Sequence, residues 1–135
     1  METYKHSLRV AELIGQVIKR LVTRAVTHDR SKTEEPELSV FDEFTPKLKG
    51  MTYGSEEYKE CLVKMGEGLK HHYAVNRHHP EHFANGVNGM TLIDVVEMLV
   101  DWQAATERHS DGDLLKSLLI QKERFGLSDQ LYEIL

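Results

Sequence analysis

Cysteine is nearly absent from this chain: Cys61 stands alone among 135 residues, so no internal disulfide can form and no paired-cysteine zinc site is available. A reducing, cytoplasmic setting is expected. Long hydrophobic runs are missing as well. No stretch approaches the roughly eighteen apolar residues of a membrane span, and the opening Met1-Glu2-Thr3-Tyr4-Lys5-His6 has no apolar h-region, so neither a span nor a signal peptide is expected. Basic charge is in deficit: 17 Lys and Arg face 22 Asp and Glu, a formal net charge of -5, which removes any global attraction to nucleic acid or an anionic membrane. An alternating strand pattern, an internal repeat, a low-complexity tract and a Gly-x-x-x-x-Gly-Lys phosphate loop are all lacking.

What is present is helical periodicity. Val10, Leu13, Ile14, Val17, Ile18, Leu21, Val22 and Ala25 recur at three- and four-residue intervals and predict a helix over 3–27, with His6 on its buried stripe. Pro36 is placed to open a short helix carrying Leu38, Phe41 and Phe44, with Pro46 expected to end it. Ser55 caps a helix running to about Asn76, and Pro80 puts His78-His79 at a helix end. Thr91 caps an apolar helix over 92–107, and two more helices follow over 113–125 and 128–135. The expectation is one all-α domain over 1–135, of five or six helices, burying about two thirds of its unfolded surface.

Histidine and acid recur together along these helices. His28-Asp29 is one adjoining pair, His6 lies upstream, and five of the eight histidines fall between 71 and 82, including His71-His72 and His78-His79. Imidazole and carboxylate together suit zinc, iron or manganese, with magnesium leaning on the oxygens. Residues seven apart on a helix lie within about 20° around its axis, which stacks His71 over His78 and His72 over His79. On the next helix Asp94, Glu97 and Asp101 form an acidic stripe amid apolar residues. Burying three carboxylates costs several kcal/mol unless cations, hydrogen-bond donors or a metal meet them. A solvated stripe is the plainer reading of three acids on one face, but it leaves the paired histidines unexplained.

The order His6, His28-Asp29, Asp101 resembles the HD superfamily of metal-dependent phosphohydrolases, an all-α family with ligands in the order His, His-Asp, Asp. His28-Asp29-Arg30-Ser31-Lys32 is similar to its His-Asp-x-x-Lys signature, in which the lysine lies near the bound phosphate. The stretch from His78 to Gly86, followed by Leu99-Val100-Asp101-Trp102, is similar to segments of the HD-GYP branch, where extra histidines hold a second metal. Asn85-Gly86-Val87 replaces the Gly-Tyr-Pro triplet, so cyclic dinucleotide cleavage is not implied. Small phage and bacterial HD-like proteins also look similar, which adds no substrate.

The resemblance implies one or two divalent ions (Mn, Fe, Zn, Mg, Co or Ni). His6, His28, Asp29 and Asp101 would hold the first, with His71 or His72 and His78 or His79 completing a second. Asp29, Lys32 and Arg77 are the expected catalytic set, the two cations meeting phosphate oxygens. Glu34, Glu35 and Glu37 are unranked candidates for the leaving-group acid, and His82 and His109 are unassigned. The substrate implied is a nucleotide or similar phosphomonoester. Two other readings stand beside it: a di-iron HD-type oxygenase, and a non-catalytic, metal-stabilised regulatory module. The apolar C-terminal helices are free either to pack within the chain or to form a homodimer.

Overall fold

Six helices make up the computed structural model, which describes residues 1–108 and 110–135; His109 lies outside the described residues. They are α1 (Glu2–Thr27), α2 (Glu37–Lys49), α3 (Glu56–Val75), α4 (Leu92–Thr106), α5 (Leu114–Phe125) and α6 (Asp129–Ile134). Short 3₁₀ turns lie at Arg30–Thr33, Pro80–His82 and Gly86–Gly89. No strand occurs among the described residues, so the class is all-α as expected. No described helix is long and apolar enough to cross a membrane.

Side-chain caps set most of the helix starts. The Ser55 hydroxyl accepts from the Tyr58 N–H at 3.2 Å, and Asp113 and Ser128 do the same for α5 and α6. Thr91 and Asp94 form a reciprocal capping box at α4. Gly126, at φ 62°, closes α5 in the left-handed conformation. Pro46 does not end α2, contrary to expectation. Packing of α2 along α3 outweighs the single hydrogen bond that the proline removes. Their approach is close: a Cβ on Gly68 would lie 2.8 Å from Val40, so only glycine fits there.

The apolar core is small. Cys61, Met65, Val87, Met98, Leu118 and Leu127 are its buried members. The stripe on α1 is not part of it, because α1 has no buried residue. Only its last turns engage the body, with Leu21, Arg24 and His28 partly covered. Arg24 meets Asp94 and Glu97, while His28 meets Glu97 and Asp101, so α1 and α4 run side by side in the same direction. The earlier turns of α1 therefore extend past the start of α4, leaving Val10, Ile14, Val17 and Ile18 exposed.

Candidate metal centre

The site is assembled at helix ends. α1 stops at His28, and Asp29 takes a left-handed turn at φ 54°, a conformation that Asp tolerates better than most residues. Two consecutive side chains thereby face one space. α3 supplies His72 from its last turn, and the extended Asn76 that caps it lets the chain double back, so that His78 and His79 return over the helix end. α4 contributes Glu97 and Asp101.

The donors converge in two overlapping groups, each with ligand atoms within 4.8 Å of one another: Asp29, His72, His78 and His79 in one, His28, His78 and Asp101 in the other. Asp29 lies between them. Its Oδ1 is 3.4 Å from both His72 Nε2 and His78 Nε2, and its Oδ2 is 3.6 Å from His28 Nε2. The Nε2 atoms of His72 and His79 are 2.9 Å apart. His28 Nε2 lies 3.5 Å from Asp101 Oδ1.

A second layer of carboxylates aims these rings. Glu37, fully buried, accepts from His72 Nδ1 at 2.8 Å and from His71 Nδ1 at 2.7 Å. Glu97 Oε1 lies 3.0 Å from His28 Nδ1 and 3.2 Å from His78 Nδ1. A carboxylate on Nδ1 keeps the proton there and turns the Nε2 lone pair inward, the arrangement that supports metal-bound imidazoles. Among the described residues, Asp29 Oδ1 and His78 Nε2 are buried without a hydrogen-bond partner. Such groups are rare, because each forfeits its hydration without replacement. Two of them side by side, in a set of hard oxygens and borderline nitrogens, fit a divalent cation.

A family model described as "Family of unknown function (DUF5662)" matches residues 1–135. The chain belongs to the DUF5662 family. No curated protein and no solved structure matches it.

Within this DUF5662 chain the sequence candidates divide. His28, Asp29, His72, His78, His79 and Asp101 come together. His6 does not: it sits 22 residues before His28 along one continuous helix, about 33 Å at 1.5 Å per residue, and it is exposed rather than on a buried stripe. His71 points its Nδ1 to Glu37 and is not among the converging donors. The expected stacking of His72 with His79 is realised across a turn, because α3 ends at Val75 and helical register does not carry beyond it. Lys32 pairs with Asp29 and lies over the Phe41 ring. Arg77 is committed to Asp94 at 3.0 Å and lies over Phe83. His82 faces the Tyr73 carbonyl through Nδ1.

The acidic stripe of α4 is met by cations and donors. Asp94, fully buried, takes Arg24, Arg77 and the Thr91 cap; Glu97 takes Arg24 and the two imidazoles. Arg24 is a contributor that the sequence does not announce, and two carboxylates have parts other than those expected: Glu37, a candidate leaving-group acid, and Glu97, a member of the stripe, both orient imidazoles.

Charge is strongly redistributed here. Hydrogen bonding to Asp101, then to Glu97, raises the His28 pKa from 6.5 to about 10. Burial beside two other imidazoles pushes His79 down to about 3. Burial opposes the charge on His78, but the Asp29 and Glu97 carboxylates outweigh it and raise its pKa. For Asp94, burial is overcome by bonds from Arg77, Thr91 and Arg24, which hold it at about 2. Burial likewise opposes ionisation of Asp29, and its partners His78 and Lys32 keep it far below the usual carboxylate range.

Beside the cluster opens a cavity of about 450 Å³, whose lining includes Arg24, Arg30, Ser31, Glu34, Asn76 and Arg77. Arg30 makes no ion pair with a described residue. The cavity thus joins guanidinium groups to the His78 side of the donor cluster.

Proposed function

We propose that the chain is a metal-dependent phosphohydrolase acting on a nucleotide or similar phosphomonoester through attack of water on phosphorus. The carrying observation is the pair of orphaned buried atoms, Asp29 Oδ1 and His78 Nε2, at the focus of four inward-turned donors. Asp29, His72, His78 and His79 would hold one divalent ion, with His28 and Asp101 completing the set or holding a second. Such an ion supplies Lewis acidity and a bound water that ionises near neutral pH.

The chain's own residues have distinct parts in this reading. Glu37 and Glu97 fix the tautomers and directions of His72, His28 and His78. Arg30, together with Arg24 and Arg77, lines the cavity where the non-bridging oxygens would lie. Lys32, hydrogen-bonded to Asp29, keeps that carboxylate ionised. Of the three glutamates after the His-Asp pair, Glu34 lines the cavity, while Glu37 is sequestered by histidines and Glu35 bonds Ser39. As the P–O bond from water forms and the ester P–O bond breaks, the proton that the attacking water gives up would pass to the departing alkoxide, with Glu34 in the cavity lining as its carrier.

The test is elemental analysis of protein made without a polyhistidine tag, together with a nucleotide phosphatase panel containing added manganese. Stoichiometric transition metal and phosphate release, both lost in Asp29→Ala, are expected. An active, metal-free Asp29→Ala protein would overturn the reading. Iron with oxygen uptake, and no phosphate from any substrate, would transfer the site to oxygenase chemistry.

A further inference from the structure

The projecting part of α1 is more than a spacer. Plotted at 100° per residue, its apolar side chains sweep roughly 200° of circumference, about twice the stripe that one neighbouring helix covers. Leu21, Arg24 and His28 turn one edge of that arc to the body. The opposite edge carries Tyr4, Leu8, Ala11, Gly15, Ile18 and Val22, and Val22 stays 56% exposed even alongside the start of α4. Beyond α4 both edges are bare over roughly 30 Å of helix. Helical stability in proteins comes mostly from packing an apolar face, and this one is left without a partner over that length.

Area and charge identify what covers it. The chain exposes 9501 Å², about 2,200 Å² more than the roughly 7,300 Å² of a compact 15.6 kDa monomer. A standard interface removes about 800 Å² from each partner, so the surplus is ample for a stable dimer. α1 carries Lys5, Arg9, Lys19, Arg20 and Arg24 against Glu2 and Glu12, a net +3; the chain as a whole is -5, so the remainder is -8. Two bodies of -8 repel if the helices pair in parallel and the bodies share one end. Antiparallel pairing separates the bodies and sets each beside the basic helix of the other.

We propose that α1 is the homodimer element: two copies pair their projecting helices antiparallel about a two-fold axis, burying the Ala11–Gly15–Ile18–Val22 edge. Gly15 has no heavy atom within 4 Å of where a Cβ would be, so the helices meet without steric obstruction there. This places the contact on the first helix and leaves α5 and α6 in the body.

Sedimentation of the full chain across the micromolar range, with circular dichroism on the same samples, tests the proposal. The wild type should sediment as a dimer. Ile18→Glu, at a residue 55% exposed in the monomer, should be monomeric with the fold retained, while Gln16→Glu on the polar arc should remain dimeric. If Ile18→Glu loses helicity, Val22→Lys serves as the second disrupting variant. A monomeric wild type overturns the proposal, as does a dimer that survives both apolar-edge variants. A monomeric wild type that cosediments with phosphatidylserine vesicles would instead assign the stripe to a membrane surface.

Discussion

His72 and His79 face each other through their Nε2 atoms at 2.9 Å, and His72 cannot supply the hydrogen between them because Glu37 holds its proton on Nδ1. Asn76 Nδ2 also lies 3.0 Å from His72 Nδ1, but its two hydrogens have acceptors in Ser31 Oγ and the His72 carbonyl, and the Glu37 carboxylate can only accept from that nitrogen. Without an ion, His79 must donate from Nε2 to His72. A cation entering the group replaces that hydrogen and draws both lone pairs to itself. His72→Ala should therefore abolish stoichiometric metal, whereas His71→Ala, on the outer side of Glu37, should retain it. Inductively coupled plasma mass spectrometry of the two variants decides the point.

Glu97 spans both histidines that border Asp29 and Asp101, so its neutralisation should loosen the site without removing a ligand. Glu97→Gln is expected to weaken metal binding about 10- to 100-fold, the usual effect of losing an orienting carboxylate. Competition titration against a chromophoric chelator measures it. Unchanged affinity would show that the rings hold their directions without Glu97.

His28 carries a proton at neutral pH in the metal-free protein, because its pKa stands at about 10 against an ordinary 6.5. A metal that uses its Nε2 must displace that proton, so binding at pH 7 should release at least the His28 proton and tighten as pH rises. Calorimetry in buffers of differing ionisation enthalpy reads the release. The sign for metal-free stability is opposite: the raised pKa contributes stability that is complete below about 6.5 and lost as pH rises through about 10.

Asp94 is the structural counterpart of these residues. It is fully buried and joins Arg24, Arg77 and the Thr91 cap. Asp94→Ala should destabilise the fold by about 3–5 kcal/mol, since two guanidinium groups lose their shared partner. Its lowered pKa of about 2 contributes stability that is present above about 3.8 and disappears as pH falls through about 2. Urea unfolding of the variant, and of the wild type across that acid window, checks both statements.

His6→Ala should leave metal content unchanged under the conditions that empty Asp29→Ala. A loss of metal in His6→Ala would mean that a second copy brings its own His6 to the cluster, because the same chain cannot do so along a straight helix.

The helices were legible because their causes are local: three- and four-residue periodicity, the Ser55 and Thr91 caps, and the glycine and proline breaks. Pro46 lies inside α2 instead of ending it because its context is tertiary, a helix held along α3. At the site, ligand types and their order pointed to six converging donors, but chain order carries no distances. His6 could be excluded only once α1 ran unbroken from Glu2 to Thr27. The ring-orienting part of Glu37, as against the acid role expected of it, was hidden for the complementary reason, since it reaches His72 across 35 positions of sequence.

The scarcity of buried apolar side chains in the body has one more consequence. Where Met65 and Met98 give way to His72, His78, Glu37 and Asp94 as the most enclosed groups, cohesion passes from oily contact to a lattice of charges drawn from α1, α2, α3 and α4. An ion seated at its hub would act as a rivet through four rods, making thermal endurance a function of ion supply.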